Sequence, residues 1–208
     1  MPTAVLASGR GTNAQAVFDA AARGELPLHV RLVVSNDPRA EVLSRARRAG
    51  IAAFALPFDR RSESRAQYAL RLATALREEH VRLVLLLGWM HVLAPEFLNA
   101  GFDGVLNLHP SFLPDDPKDD FVTLPDGVRT PCFRGPHALR DAIEAGVPVT
   151  GASLIEITAD VDRGPVLARS TFTLKPGEGE AAALERLHPV EHAVVKEGIL
   201  KWFSMRGR

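Results

Sequence analysis

The first half of the chain alternates between short aliphatic runs and longer stretches whose apolar residues recur at helical spacing. The short runs predict buried strands, and the longer stretches predict helices. Strands are predicted over residues 3–7, 28–35, 52–56, 81–87 and 104–108, and helices over 12–23, 40–49, 64–80 and 95–100. This alternation predicts an α/β fold with a doubly wound, mostly parallel sheet and helices on both faces.

The pattern changes after Pro114. Residues 115–133 are rich in aspartate, and an Asp126-Gly127 turn between two short apolar runs predicts a β-hairpin over 121–130. A helix over 136–145, strands over 149–157 and 166–174, and a terminal helix over 178–203 complete the prediction of one domain over residues 1–208. Because proline removes a backbone donor, a break or kink is expected at Pro189.

Composition and charge narrow the classes of partner. The 208 residues are 46% hydrophobic, enough for a core, and 25 basic residues balance 25 acidic ones. A neutral chain has no global field that attracts nucleic acid or an anionic membrane, and no apolar run is long enough to span a bilayer. Cys132 is the only cysteine, which excludes an internal disulfide and fits a reducing compartment. We therefore expect a cytoplasmic protein that binds small molecules.

The predicted strand over 104–108 leads into the most informative motif, Asn107-Leu108-His109-Pro110. Asn107 and His109 are two residues apart, so their side chains point to the same side of an extended backbone. Pro110 favours extended geometry at His109 and stops regular pairing. Because ligands bind at the carboxyl ends of strands in open α/β sheets, this amide and imidazole are candidates for catalysis. The alternative is that both side chains satisfy backbone groups of a turn.

A second candidate is the loop over residues 8–13, Ser-Gly-Arg-Gly-Thr-Asn, between the first strand and the first helix. Its glycines allow an anion to approach the backbone closely, and the helix N-terminus offers free N–H groups. The loop lacks the Gly-Lys-Ser/Thr of a Walker A motif, and Ala14 stands where a dinucleotide fingerprint has its third glycine. A single phosphate is therefore the predicted ligand, and a tight turn with an Asn or Thr cap is the alternative.

Three further motifs each have two interpretations. Residues 88–93, Gly-Trp-Met-His-Val-Leu, follow a predicted strand and either line a pocket for a flat ring or belong to the core. Asp162 lies in a turn between two strands, where most aspartates only make the turn. His188, Glu191 and His192 match the H-x-x-E-H pattern of one zinc peptidase class. Since Pro189 disturbs the helix that such a site requires, no metal is predicted.

Together these segments resemble the phosphoribosylglycinamide formyltransferase family of purine biosynthesis. The matching pieces, in the family's order and spacing, are residues 8–13, 88–93, 107–114 with its Asn-x-His-Pro-Ser core, 151–153, 162–165 and 191–192. The resemblance implies the formyltransferase fold, with a phosphate-binding N-terminal half and a C-terminal part that completes a folate cleft. It also implies transfer of the formyl group of 10-formyltetrahydrofolate, a co-substrate, to the amine of glycinamide ribonucleotide.

The same resemblance implies roles for single residues. Catalysis falls on Asn107, His109 and Asp162, and Asn107 also contacts the folate. For the ribonucleotide, the phosphate is bound by Gly11, Thr12 and Asn13, with His188 nearby, and the ribose is bound by Glu191. For the folate, the carboxylates are bound by Arg65, and the pterin pocket is lined by Met90, His91, Val92 and Leu93. The catalytic set suits the chemistry, because an amide and an imidazolium donate to a tetrahedral oxyanion and a carboxylate accepts the amine proton. No metal is needed for it.

The chain departs from the family at several positions. His91 stands where arginine is frequent, Ile155 where histidine is frequent, and His188 where Lys, Arg or Gln is expected. Residues 115–133 are longer than the family's usual loop, and they are interpreted as a lid over the folate, an oligomer contact or a solvated insertion. Either a monomer or a homodimer is compatible with the sequence.

Other functions make different demands. A methionyl-tRNA formyltransferase shares the Asn-x-His-Pro-Ser core but should carry a basic tRNA-binding domain, and a formyltetrahydrofolate hydrolase should carry an N-terminal regulatory domain. Neither domain is expected in this chain. A non-catalytic phosphosugar-binding module would explain the glycine loop but would leave Asn107, His109 and Asp162 without a role.

Overall fold

The computed structural model describes residues 1–207, which divide into two units. The first unit is Met1–Asn107, and the second begins at Leu108. Among the described residues, no helix combines the length and the apolar character that a membrane crossing requires.

The first unit alternates strands and helices as the sequence predicts. Its elements are β1 (Pro2–Leu6), α1 (Thr12–Ala22), β2 (His29–Ser35), α2 (Glu41–Arg48), β3 (Ala52–Ala55), α3 (Arg65–Glu78), β4 (Leu83–Leu86), α4 (Pro95–Leu98) and most of β5 (Gly104–His109), whose last two residues belong to the second unit. The strand pairs of this unit are parallel, as expected where helices provide the crossover connections. The four residues of β4 are all aliphatic and buried, which is typical of a strand covered on both faces.

The second unit contains a short hairpin and a longer antiparallel pair. Its elements are β6 (Phe121–Thr123), β7 (Arg129–Pro131), α5 (Ala138–Glu144), β8 (Val149–Glu156), β9 (Val166–Thr173) and α6 (Glu180–Met205). β8 pairs antiparallel with β9, and α6 packs on both strands. Gly198 of α6 permits this close packing, because a Cβ there would lie 2.6 Å from Cδ2 of Leu154.

Most of the predicted architecture is confirmed, with one exception in the last helix. The main sheet has seven strands in the order β3-β2-β1-β4-β5-β8-β9, so a mostly parallel sheet with helices is confirmed. The predicted hairpin is confirmed by the antiparallel pairing of β6 and β7. Of the break or kink expected at Pro189, the break is wrong, because α6 continues through that residue, and the kink stays a prediction. Proline removes only one helical hydrogen bond, and the bonds and packing on either side keep the helix continuous.

Residues 115–133 contribute to a small apolar core. Val122 and Leu124 are buried and form a cluster with Phe112, against which Cys132 and Val149 pack. The segment is therefore solvated only in part, because residues 115–121 and 125–129 are exposed while Val122 and Leu124 are buried. Its removal would expose the Phe112 side chain, which is only 6% exposed.

Candidate active site

The glycine loop presents the first turn of α1. Gly11 has a φ of 75°, and Thr12 begins α1 directly after it. A Cβ at Gly11 would lie 2.5 Å from Cγ2 of Val42, so no side chain fits there. The N–H of Val42 donates to the carbonyl of Gly9 at 3.1 Å, which fixes the loop against α2. Gly11, Thr12 and Asn13 therefore lie at a helix N-terminus, where the macrodipole favours an anion.

A pocket of the first unit brings together the residues predicted to bind folate. Those that line it are Arg65, Met90, His91, Val92 and Leu93. The other lining residues are Phe58, Arg60, Tyr68, Ala69 and Ala94. Asn107 is not among the described residues that line this pocket. Arg60 was not predicted from the sequence, and together with Arg65 it gives the pocket two guanidinium groups, which suit a ligand with carboxylates.

Local capping explains the position of Arg65 at the start of α3. The hydroxyl of Ser64 accepts a hydrogen bond from the backbone N–H of Gln67, and the side chain of Gln67 accepts one from the backbone N–H of Ser64. This reciprocal capping box satisfies two N–H groups at the helix start. Arg65 is therefore the first helical residue, and its side chain lines the pocket.

His91 lies in a cluster of aromatic rings and has one side-chain hydrogen-bond partner, Asn36. Its ring centroid is 5.7 to 6.1 Å from the rings of Trp89, Phe58 and Tyr68. The side-chain amide of Asn36 lies 2.9 Å from Nε2 and donates to it. Burial, and then the charges of two nearby arginines, lower the pKa of His91. The ring is therefore neutral at neutral pH and gives the pocket a flat surface in place of a cation.

Asn107 and His109 lie at the end of β5, two residues apart on one strand. His109 is only 4% exposed, and Asn107 is half-buried. Ser153 fixes the turn that follows, because its Oγ accepts from the N–H of Leu113 at 3.0 Å and donates to the carbonyl of Ser111 at 2.7 Å. Ser153 lies in one of the matching motifs, and its role was not predicted from the sequence.

The imidazole of His109 faces a carboxylate on one side and a carbonyl on the other. Its Nδ1 lies 3.6 Å from Oδ2 of Asp162, and its Nε2 lies 2.8 Å from the carbonyl oxygen of Phe133. Since a carbonyl only accepts, Nε2 carries a proton. The Asp162 side chain is 8% exposed, and this shielding from water strengthens its attraction for a cationic imidazole. The second unit therefore brings His109 and Asp162 together, and Phe133 is a neighbour that the sequence did not predict.

Asp162 adopts a backbone conformation that few residues other than glycine adopt. Its φ is 52°, and non-glycine residues in this region often mark functional sites. Its Oδ2 accepts a hydrogen bond from the N–H of Gly135 at 2.8 Å, and its carbonyl accepts one from Nε of Arg134 at 3.3 Å. The Asp162 carboxylate therefore accepts a hydrogen bond from a residue 27 positions away in the sequence. An aspartate that only makes its own turn bonds to neighbouring residues instead.

The remaining predicted residues lie on α6. Glu191 is 4% exposed, and His188 lies one turn before it. The rings of His188 and His192 are nearly parallel, at 7°, with centroids 6.3 Å apart. Burial lowers the pKa of His192. Within residues 1–207, no group of three or more His, Cys, Asp or Glu side chains is arranged to hold a metal ion, so the H-x-x-E-H pattern acquires no third ligand there.

Known proteins with similar sequence and structure are named as formyltransferases or transformylases, or as purine biosynthetic proteins. The chain is 33% identical over 207 residues to the phosphoribosylglycinamide formyltransferase of Escherichia coli (strain K12), with 98% of this chain and 87% of that protein covered. It is 29% identical over 191 residues to the human trifunctional purine biosynthetic protein adenosine-3, with 92% of this chain but only 17% of that longer protein covered. Among solved structures, glycinamide ribonucleotide transformylase 1 from Symbiobacterium toebii matches with a TM-score of 0.83 and 33% identity, over 96% of this chain and 85% of that one.

The sequence pattern of the formyl transferase family matches most of the chain, over residues 1–116 and 130–199. The unmatched residues 117–129 lie inside the segment 115–133, which is predicted to be longer than the family's loop. With this match and the 33% identity along almost the whole chain, the protein belongs to the formyl transferase family.

Proposed function

We propose that this chain transfers the formyl group of 10-formyltetrahydrofolate to the amine of glycinamide ribonucleotide. The products are formylglycinamide ribonucleotide and tetrahydrofolate, and the pathway is purine biosynthesis. The observation that carries the proposal is the buried pair of His109 and Asp162 in a chain of the formyl transferase family. Similarity along 98% of the chain to a phosphoribosylglycinamide formyltransferase supports the choice of acceptor.

The reaction requires one oxyanion site and one proton acceptor. The amine nitrogen attacks the formyl carbon and forms a C–N bond, while the carbonyl electrons move to the oxygen. The Asn107 amide and the Nδ1–H of a protonated His109 donate hydrogen bonds to this oxyanion, each worth about 3 kcal/mol of barrier in comparable sites, while Nε2–H stays bonded to the Phe133 carbonyl. Asp162 stabilises the imidazolium and takes the amine proton, directly or through one water. Collapse of the oxyanion restores the carbonyl and breaks the bond to N10 of the folate, which gains a proton.

The ribonucleotide is proposed to bind through its phosphate and its ribose. The N–H groups of Gly11, Thr12 and Asn13 take the phosphate, because the start of α1 presents backbone N–H groups and the positive end of the helix dipole. The buried carboxylate of Glu191 accepts from ribose hydroxyls. His188, one turn before Glu191 on α6, is proposed as a further donor to the ribonucleotide.

The folate is proposed to occupy the pocket around His91. Arg65 and Arg60 pair with its carboxylates. The side chains of Met90 and Val92 are 55% and 60% exposed, and a bound pterin ring would remove part of their apolar surface from water. The neutral imidazole of His91 supports this binding as an aromatic surface beside the ring.

Ligand-induced thermal shifts test the binding part of the proposal. Glycinamide ribonucleotide and a non-reactive folate analogue are each expected to raise the Tm, and the two together to raise it further. Methionyl-tRNA is expected to leave the Tm unchanged. Stabilisation by the folate analogue alone, with release of formate from 10-formyltetrahydrofolate in the absence of ribonucleotide, would identify a hydrolase instead.

A further inference from the structure

Two arginines of the second unit bind the same acidic residue. Nη1 of Arg134 lies 3.0 Å from Oδ1 of Asp120, and Nη2 of Arg163 lies 2.8 Å from the same oxygen. Each guanidinium also donates to a backbone carbonyl close to Asp120, Arg134 to that of Asp119 and Arg163 to that of Pro117. A short stretch of segment 115–133 therefore ties the two arginines together.

Both arginines adjoin the groups that hold Asp162. Arg134 precedes Gly135, whose N–H donates to the Asp162 carboxylate, and its own Nε donates to the Asp162 carbonyl. Arg163 directly follows Asp162 in the chain. The left-handed φ of Asp162 costs free energy and persists only where the surroundings over-determine it. Arg134 and Arg163, which restrain Asp162 from two sides, are both bound by the carboxylate of Asp120.

The exposed ion pairs of Asp120 contribute little to global stability. The hydrogen bonds and charges of Arg163, and then those of Arg134, hold the pKa of the Asp120 carboxyl below its usual range, so it is ionised at neutral pH. Its side chain is 68% exposed, and ion pairs this exposed contribute little to the free energy of unfolding. Asp120 lies in residues 117–129, outside the match to the family pattern.

We propose that Asp120 is a positioning residue, which fixes Arg134 and Arg163 so that the carboxylate of Asp162 stays directed at His109. The proposal rests on the proposed function, because it assigns the residue to the same reaction. The segment that lengthens this chain relative to the family therefore restrains the loop that carries the proton acceptor.

The variant Asp120→Asn tests this role, because it removes the charge and keeps the size. We expect kcat to fall about tenfold with KM for the ribonucleotide unchanged, since a small misplacement of a catalytic group is costly. The matched control is Asp119→Asn, which makes the same change of net charge at a residue whose carbonyl, not its carboxylate, binds Arg134. The control is expected to keep the parent kcat.

The amide proton of Gly135 gives a readout that needs no turnover, because it reports the hydrogen bond to Asp162. Its NMR resonance is expected to move upfield in Asp120→Asn and to stay in place in Asp119→Asn. A parent-like kcat or an unmoved Gly135 resonance in Asp120→Asn would overturn the proposal. If the parent has no formyl transfer activity, the proposed function fails, and the Gly135 resonance still decides whether Asp120 positions Asp162.

Discussion

Replacement of Asp162 by asparagine removes a charge beside His109 and leaves the shape of the loop nearly unchanged. The amide oxygen of asparagine can still accept from the N–H of Gly135, which bonds to Oδ2 in the parent. Its NH₂ group can donate to Nδ1 of His109, which favours the neutral imidazole with the proton on Nε2. This form still donates from Nε2 to the Phe133 carbonyl. The variant therefore loses the cation and the proton acceptor together.

The distance between the two groups sets the scale of the loss. At 3.6 Å, the attraction between an imidazolium Nδ1 and Oδ2 of Asp162 is about 5 kcal/mol with an effective dielectric constant of about 20. Only the part that is stronger in the transition state than in the ground state appears in the rate. We expect kcat to fall at least about 100-fold, which corresponds to about 2.7 kcal/mol of barrier.

Single-turnover formyl transfer at saturating substrates measures this fall. Ribonucleotide affinity, measured by titration calorimetry, is expected to change little, because the phosphate is proposed to bind at Gly11. The control is Asp160→Asn, a change at an exposed carboxylate of the same turn, which is expected to keep the parent rate. In ¹⁵N spectra, the Nδ1 resonance of His109 should differ between the variant and the parent, because the carboxylate 3.6 Å from it is replaced by an amide. Near-parent turnover with an unchanged Nδ1 resonance would reduce Asp162 to a turn residue.

Three other perturbations test separate parts of the structure. Gly11→Ala places a Cβ at a left-handed position without space for it, at a cost of about 1–2 kcal/mol, so thermal melts should show a lower Tm and calorimetry a larger loss for the ribonucleotide than for the folate analogue. Ser153→Ala removes two buried hydrogen bonds and should lower the free energy of unfolding in urea by about 1–3 kcal/mol, whereas the control Ser170→Ala, at an exposed position, should not. The pKa values of His91 and His192 are lowered from 6.5 in the folded protein, so below this pH the unfolded state binds more protons than the folded state. The free energy of unfolding should therefore decrease as the pH falls below 6.5. A pH profile in which His91→Phe is as steep as the parent would contradict that assignment.

The alternation of the first unit is predictable because each element carries one clear hydrophobic period. β4 is a run of four buried aliphatic residues, and its pattern fits a strand. The pairing of Asn107 with His109 on one side of β5 follows from strand geometry alone. The hairpin of β6 and β7 follows from the Asp-Gly turn between two apolar runs.

Contacts between distant segments are what the sequence pattern does not contain. The Phe133 carbonyl is 24 residues from His109, and Ser153 is 40 residues from Leu113. Periodicity reports only which face of an element is buried and not which partner covers it. The continuity of α6 through Pro189 has a similar origin, because packing on β8 and β9 outweighs one lost hydrogen bond.

The most direct test of the proposed function follows the formyl carbon itself. The purified chain is incubated with glycinamide ribonucleotide and 10-formyltetrahydrofolate that carries ¹³C in the formyl group, and the label is followed by NMR. We predict that the label appears in formylglycinamide ribonucleotide in step with the formation of tetrahydrofolate, and that Asp162→Asn slows its appearance at least about 100-fold. Label that stays on the folate, or that is released as formate while both ligands bind, would contradict formyl transfer to this acceptor.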